Sequence, residues 1–551
     1  MNRLHQIFNG FTKNERSIFL AAVSVFLITG ILWTVFIIQN STTEIPVKSK
    51  WYKEGIVGQP IAINPVLAGN NDVDRDLIEL LFSGLIDLSE NYKISPDGQT
   101  WNIILKPDLH WSDGKPLTSE DVIFTIDAIQ NSDSRSPLFL TWQGIITDRI
   151  SEREIEFTIR TPYAFFLDNL RDLKIIPKHI FGSIPVENFR LSSFNLEPVG
   201  NGPYKFDEFE KRSDGFITNY LLSSNKYFSG GDPYIEKIEV KFYQDNSQLI
   251  KAFNLKKVDG FGGLNPGNLE ELRLGYKLLE KSIPQYYAIF INKNSNPSLT
   301  NQKILSALNL ATNKEKIVNQ VFKAKATVIN EPILPIISGY DASADPGSEF
   351  STEKAALLLD EEGWIKNEKN IREKKIGKQV ESLEYSIVVP QIPFIIETIN
   401  IIKNDWDKIG IKLNPIILNP ADIANEVIKT RNYQMIIFGN ILRNNPDIFS
   451  FWHSSERFYP GLNLSLYDNK KVDALLESIR KNPDENTREQ DLAKLQRLIS
   501  EDKPAIFLYS PAYLYVGPKN LGGFEENIIT TPSKRFQNIS KWYLDTKKVF
   551  K

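Results

Sequence analysis

An apolar run near the amino end constrains this chain more than any other feature. Residues 17–38 carry no charged side chain. At about 1.5 Å per residue, a helix of this length crosses a hydrocarbon core of about 30 Å. The alternative is a cleaved signal peptide, but the run exceeds the usual apolar region of such a peptide and no A-x-A-like site follows it. The sequence therefore predicts an uncleaved transmembrane anchor over residues 17–38.

Charge on either side of the run predicts its orientation. Basic residues precede it at Arg3, Lys13 and Arg16, and the polar stretch QNSTTE follows it. The positive-inside rule then makes residues 1–16 a cytoplasmic tail and places everything after Asn40 outside the cytoplasm, on the cell surface or in the periplasm. We expect residues 39–50 to be a polar linker to a large exported body.

Composition excludes several classes of function for that body. The net charge of −3 over 551 residues supplies no broad basic field, so we expect no nucleic-acid partner. The chain has no cysteine, which excludes disulfides, thiolate metal sites and a lipid-modified cysteine. Its four histidines, His5, His110, His179 and His453, are scattered, and no G-x-S-x-G, H-E-x-x-H or P-loop motif occurs. We therefore expect no metal, no cofactor and no catalysis.

Local patterns predict an α/β body. The stretch EIEFTIR alternates apolar and polar residues with the period of a half-buried strand. Thr118 and Asp121 have the spacing of a capping box, which predicts a helix start. Farther on, a helical pattern ends at Gly410 and a strand begins at Ile411. The glycine cluster DGFGGLNPG, residues 259–267, lacks the third glycine of a phosphate loop and is interpreted as a turn.

The order of segments along the body resembles one protein family. The chain runs through GQPIAINPVLAGNNDVDRDLIELLFSGL, WSDGKPLTSEDV, PVGNGPYKF, INKNSNPSLTNQKILSALNLATNKEKIV and WDKIGIKL. This series resembles the family 5 extracellular solute-binding proteins, the peptide- and nickel-binding receptors of ABC transporters. The WSDGKPLTSEDV segment is the most specific part of the resemblance, and we expect its role to be structural.

The resemblance implies an α/β, two-lobe fold like that of the periplasmic binding proteins (type II, cluster C-like), with an extra subdomain on lobe I, following one transmembrane helix. Lobe I is expected over residues 51–284, with the subdomain inserted at about 73–197. Lobe II is expected over 285–514, and residues 515–551 return to lobe I. Ligand would lie between the lobes, which close over it.

Individual site residues follow from the same resemblance. In peptide-binding members, an aspartate four positions before the proline of a D-x-x-[DE]-P segment meets the ligand's amino terminus. The matching position here is Leu442, so that anchor is missing. Nearby, Arg443 would favour a carboxylate or another anion if it points into the cleft, and Asp447 is a candidate shifted anchor. The other candidate ligand contacts are Gly69, Asn70, Asn71, Tyr286, Tyr287, Asn440 and Trp452.

The predicted anchor and the resemblance together imply a membrane-anchored receptor that delivers peptides or peptide-like solutes to the permease subunits of an ABC transporter. The alternative on the same scaffold is a surface receptor or chaperone-like binding protein without transport. An exported hydrolase would rest only on unassigned carboxylates.

Overall fold

The computed structural model describes residues 10, 12–273, 275–345, 347, 349–442 and 445–550. Its strands are β1 (Thr42–Val47), β2 (Ser49–Val57), β3 (Ser89–Ile94), β4 (Thr100–Leu105), β5 (Ile146–Arg149), β6 (Glu154–Thr158), β7 (Tyr204–Lys211), β8 (Ile217–Ser224), β9 (Ile235–Tyr243), β10 (Gly260–Gly262), β11 (Tyr276–Ser282), β12 (Gln285–Ile291), β13 (Ala326–Val328), β14 (Ile365–Lys366), β15 (Arg372–Ile376), β16 (Gln379–Ser382), β17 (Glu384–Pro390), β18 (Lys412–Leu418), β19 (Met435–Ile441), β20 (Ala505–Pro518) and β21 (Asp545–Phe550).

The longer helices are α1 (Lys13–Ser41), α2 (Asp72–Leu81), α3 (Ser119–Gln130), α4 (Phe166–Asp172), α5 (Asn246–Asn254), α6 (Gln302–Leu310), α7 (Lys314–Val321), α8 (Thr352–Glu361), α9 (Pro393–Lys408), α10 (Lys470–Lys481) and α11 (Glu485–Asp502). Single helical turns include Leu85–Leu88, Phe139–Trp142, Lys178–Phe181 and Phe449–Trp452.

Helix α1 contains the whole predicted anchor. It begins at a capping box in which Thr12 and Glu15 exchange hydrogen bonds. Its apolar side chains project away from the body, and within the described ranges it is the helix that is long and apolar enough to cross a membrane. No other part of the described chain covers this apolar surface.

Residues 39–50, expected to be a linker, are ordered as regular structure instead. Helix α1 runs on to Ser41, and β1 follows it at once. Strand β1 pairs antiparallel with β21, so that Thr42 lies opposite Phe550 and Val47 opposite Asp545. The carboxyl end of the chain, expected to return to lobe I, therefore finishes beside the end of α1. No local signal in either segment predicted this pairing between the two ends.

The main sheet runs through both lobes. Its order is β18-β17-β19-β12-β20-β10-β2-β9-β8-β7, with β11 and β13 also paired to β20. In lobe II, β17 is parallel to β18 and β19, and in lobe I, β2 is parallel to β9 and β10. Because β20 pairs with β12 through its first half and with β11 through its second half, one strand joins the two lobes.

In the described part of the chain, the backbone crosses between the lobes at two places. Strand β11 ends at Ser282 and pairs within lobe I, whereas β12 begins at Gln285 and pairs within lobe II. Strand β20 changes partner between Tyr509 and Ala512. The lobe boundaries expected near 284 and 514 lie close to these changes of partner, and we keep them as the proposed division.

The subdomain is an antiparallel sheet of order β3-β4-β6-β5 covered by α3. The predicted capping box is present, since the side chain of Thr118 caps α3 and Asp121 accepts from the Thr118 backbone N–H. The buried residues of β4 and β6, among them Ile103 and Phe157, belong to the same hydrophobic core as Tyr52 of β2. The subdomain is therefore packed firmly on lobe I.

Lobe II has its own cores, on the two faces of its sheet. The predicted helix–glycine–strand unit is present as α9, Gly410 and β18, and Gly410 has a φ of 80° that ends the helix.

The glycine cluster at 259–267 differs from the expected turn, since Gly260–Gly262 forms β10 between β2 and β20. A side chain at Gly260 or Gly262 would collide with the hydroxyl of Tyr52 or Tyr513.

Candidate ligand-binding site

A cavity of about 880 Å³ lies between the subdomain and lobe II. The segment 140–169 forms its subdomain side, and residues from 441 to 480 form its lobe II side. Its polar lining groups are Thr141, Gln143, Arg160, Thr161, Tyr163, Asn169, Asn445, Asp447, Ser450 and Arg480. The volume falls in the range that accommodates a small organic ligand or a short peptide.

Direct hydrogen bonds hold the two sides of this cavity together. The Tyr163 hydroxyl donates to Oδ2 of Asp447 at 2.7 Å, and the Asn445 side chain donates to Oδ2 of Asp168 at 2.8 Å. The backbone N–H of Ala164 donates to the carbonyl of Arg480 at 2.7 Å. Because each bond joins the subdomain to lobe II, the described form is closed at this edge.

An aromatic side chain reinforces the closed edge. Phe165 follows Tyr163 in the subdomain, yet it is 7% exposed and packs within a hydrophobic core of lobe II. The Arg488 guanidinium lies 5.8 Å from the centre of its ring. Opening the lobes would return this apolar surface to water, which favours the closed form.

Asp447 lines the cavity, but other groups of the chain already occupy its carboxylate. Arg480 Nε donates to its two oxygens at 2.8 and 3.0 Å, and the Tyr163 hydroxyl donates to Oδ2. Arg480 also lies 3.9 Å from the centre of the Phe449 ring. In this form Asp447 is a neutralised member of the closing contact, rather than a free anchor for a ligand ammonium.

Three of the candidate ligand contacts lie in the core of lobe II. Tyr286 on β12 is opposite Asn440 on β19, and the Asn440 amide donates to the Tyr286 hydroxyl at 2.9 Å. Their exposed fractions are 0% and 2%, and that of Trp452 is 1%. Burial raises the pKa of Tyr286 well above its ordinary value. None of the three lines the cavity, because all three side chains are buried within lobe II.

The remaining candidates are also placed away from the cavity. Tyr287 stacks on Tyr509, with ring centres 5.5 Å apart. The Asn71 side chain caps α2 by accepting a hydrogen bond from the Val73 N–H at 3.0 Å, and the Asn70 side chain accepts a hydrogen bond from the Arg75 guanidinium. Gly69 precedes them in the same loop, with no atom within 4 Å of its would-be Cβ.

At the missing amine anchor, Leu442 is buried in lobe II with 1% exposure, and its N–H donates to the carbonyl of Pro284 at 2.6 Å. Its neighbour Arg443 lies outside the described residues.

Apart from Asp447, the sequence did not point to the residues that close the cavity. Tyr163, Asn445 and Arg480 are far apart in the chain, and none belongs to a motif with recognisable ligand chemistry. The proline in TPYAFF, which follows β6, was the only local indication that this segment is a distinct turn. In the described ranges, no group of three or more His, Asp or Glu side chains converges as a metal site.

Two lobes joined by crossing strands, with separate cores and a cavity between them, define the chain as a two-lobe binding protein. The chain matches the family model for bacterial extracellular solute-binding proteins, family 5, middle region, over residues 86–458. It belongs to this family, whose members are solute-binding receptors.

Similar proteins agree with this assignment. The oligopeptide-binding protein AppA of Bacillus subtilis (strain 168) is 25% identical over 508 residues, covering 89% of this chain and 91% of AppA. The solved structure of AppA with a nonapeptide has a TM-score of 0.70 at 24% identity, covering 91% and 100% of the two chains. The substrate-binding protein CtaP of Listeria monocytogenes has a TM-score of 0.76 at 22% identity, covering 90% and 99%.

Proposed function

We propose that the chain is a membrane-anchored receptor that binds peptides or peptide-like solutes between its lobes and delivers them to an ABC permease. The observation that carries the proposal is the cavity bounded by Tyr163, Asp447 and Arg480, because it lies between the subdomain and lobe II, whose separation would open it to solvent. Its size and its mixed polar lining suit a flexible solute held by several hydrogen bonds. The oligopeptide-binding relative supports peptides as the ligand class.

Ligand recovery from the purified chain tests the proposal. The full chain, extracted in detergent, should release peptides or peptide-like solutes on denaturation that mass spectrometry identifies. Adding back the released compound should raise the melting temperature, since a ligand that binds only the folded state stabilises it. Ser450→Trp, which places a large ring in the cavity, should reduce recovery. Ser213→Trp is the matched control, because Ser213 lies in the turn between β7 and β8.

The transport step needs its own measurement. Vesicles carrying the permease and its ATPase should accumulate the identified solute only when the full chain is present, and Ser450→Trp should abolish the accumulation. Binding without any ATP-dependent uptake would contradict delivery to a transporter, and it would favour a surface receptor without transport. Failure to recover or bind any solute would contradict the receptor function itself.

The anchor is part of the proposal and has a direct test. Helix α1 supports it, because its apolar surface has no protein cover. The chain has no cysteine, so single cysteines can be introduced without background. In spheroplasts, a membrane-impermeant thiol reagent should label Ser213→Cys and leave Asn14→Cys unlabelled until the membrane is lysed. Recovery of a mature chain that lacks α1 would contradict the anchor.

A further inference from the structure

The charges around the cavity do not balance. Its ionisable lining residues, among those the structure describes, include Arg160, Asp447 and Arg480. Asp447 and Arg480 neutralise one another through hydrogen bonds of 2.8 and 3.0 Å. Arg160 has no carboxylate within 4.0 Å in the described part of the chain. Among the described lining residues, one positive charge is therefore uncompensated, and it comes from the subdomain side.

The position of Arg160 suits a ligand contact. The residue follows the end of β6, and its guanidinium lies against the backbone of Gly144. A Cβ added at Gly144 would be 3.6 Å from the guanidinium Cζ, and Gly144 has a φ of 77°, which favours glycine. The missing side chain at Gly144 gives the guanidinium a flat surface to lie on, while its outer face meets the cavity.

The neighbouring groups and the geometry of arginine define what the position would bind. Thr141, Gln143 and Thr161 line the same side of the cavity as Arg160 and are neutral groups that can form hydrogen bonds. A guanidinium presents a rigid set of N–H donors that matches the two oxygens of a carboxylate. A ligand carboxylate here would gain both charge and two parallel hydrogen bonds.

The lobe II side provides no opposite site for a cation in the described residues. Leu442 occupies the position of the family's amine anchor and is buried. Both oxygens of Asp447 already accept hydrogen bonds from Arg480, and Tyr163 adds another. A ligand ammonium thus meets no available carboxylate, whereas a ligand anion meets Arg160.

We propose that Arg160 recognises a carboxylate of the bound solute, so that this receptor selects anionic peptides or peptide-like acids. The inference rests on the proposed receptor function. The carboxylate is either the carboxyl terminus of a peptide or an acidic side chain, and both present the same chemistry to the guanidinium.

Matched peptide pools test the inference with the full chain in detergent. The first pair of probes is a randomised tetrapeptide pool with free carboxyl termini and the same pool amidated. The second pair consists of amidated pools that carry one glutamate or one glutamine. Equilibrium dialysis with mass-spectrometric readout gives the affinity ratio within each pair. Wild type should prefer the charged member of one pair by about tenfold, and the pair that responds identifies the source of the carboxylate.

Variants then assign the preference to Arg160. Arg160→Gln should reduce the ratio to near one, and Arg160→Lys should keep part of it, because lysine retains the charge without the paired donors. Arg190→Gln is the control for net charge, since Arg190 is an exposed residue of the same subdomain outside the cavity lining. It should leave the ratio unchanged.

Two results would overturn the inference and leave the receptor function intact. One is equal binding of the charged and neutral members by wild type, and the other is a preference for the charged member that survives Arg160→Gln. Binding of no pool member by wild type would overturn the proposed function, and the inference with it.

Discussion

Removing one hydroxyl group, by Tyr163→Phe, should loosen the closed form without unfolding either lobe. The lost bond joins the Tyr163 hydroxyl to Asp447 across the boundary between the subdomain and lobe II, at 2.7 Å. The ion pair between Asp447 and Arg480 lies within lobe II, so it survives both opening and the substitution. The variant therefore isolates an interaction that exists only when the lobes are closed.

The free energy lost in Tyr163→Phe follows from the two groups that the hydrogen bond joins. A hydrogen bond to a charged group contributes about 1.5–3 kcal/mol, and the value here lies at the low end because Arg480 already neutralises Asp447. In the open form the Tyr163 hydroxyl bonds to water instead. A loss of about 1.5–2 kcal/mol shifts the closing equilibrium toward the open form by about 10–30-fold. Apparent ligand affinity falls by up to the same factor, since only the closed population holds the ligand fully.

Two-colour fluorescence energy transfer measures this shift. Dyes at Leu191→Cys and Phe458→Cys report the separation of the subdomain and lobe II, and the absence of native cysteine makes the labelling specific. The matched control is Tyr433→Phe, because the Tyr433 hydroxyl donates to the Leu464 carbonyl within lobe II. The control should lower the melting temperature and leave the distance distribution unchanged. An unchanged distribution in Tyr163→Phe would refute the reasoning.

Three further outcomes test the packing of the lobes. Leu442→Asp buries a carboxylate at a 1% exposed site, so chemical denaturation should show a loss of about 3–5 kcal/mol, and unchanged stability would contradict the buried placement. Arg535→Met leaves the buried carboxylates of Glu54 and Asp76 without their shared cation and should cost about 3–5 kcal/mol by the same assay; an unaltered denaturation midpoint would contradict that network. Burial raises the pKa of Glu331 to about 7, so the folded chain holds this proton more tightly than the unfolded chain. The stability that this proton contributes is complete below pH 4.5 and is lost as the pH rises through 7. Melting curves should show that the free energy of unfolding falls between pH 5 and 8 by about 1–3 kcal/mol less in Glu331→Gln than in wild type. An equal fall in both proteins would contradict this.

Local signals predicted several elements of the fold. The alternation in β6 and the capping box at Thr118 each lie within a few consecutive residues, and each forms as predicted. The uncharged run of residues 17–38 forms the helix α1, and its crossing of a membrane stays a prediction. The unit of α9, Gly410 and β18 is equally local. The order of family segments then predicted the two-lobe architecture, which strand periodicity alone does not specify.

The pairings between distant segments could not be predicted in this way. Strands β1 and β21 meet across almost the whole chain, and neither has an apolar alternation that requires a partner. The closing contact likewise joins Tyr163 to Asp447 and Arg480, which come together only through the fold. Tyr286 and Trp452 were predicted as ligand contacts but are buried in a core. The sequence could not separate the two cases, because an aromatic side chain has the same sequence signature in a core as in a binding cleft.

An experimental structure of the full chain with its co-purified solute tests the central claim most directly. We predict solute density between the subdomain and lobe II, in the cavity lined by Arg160 and Ser450, with the Tyr163–Asp447 bond formed. Removal of the solute should yield an open form in which that bond is broken. A solute bound elsewhere, or lobes whose separation is identical with and without it, would contradict the account.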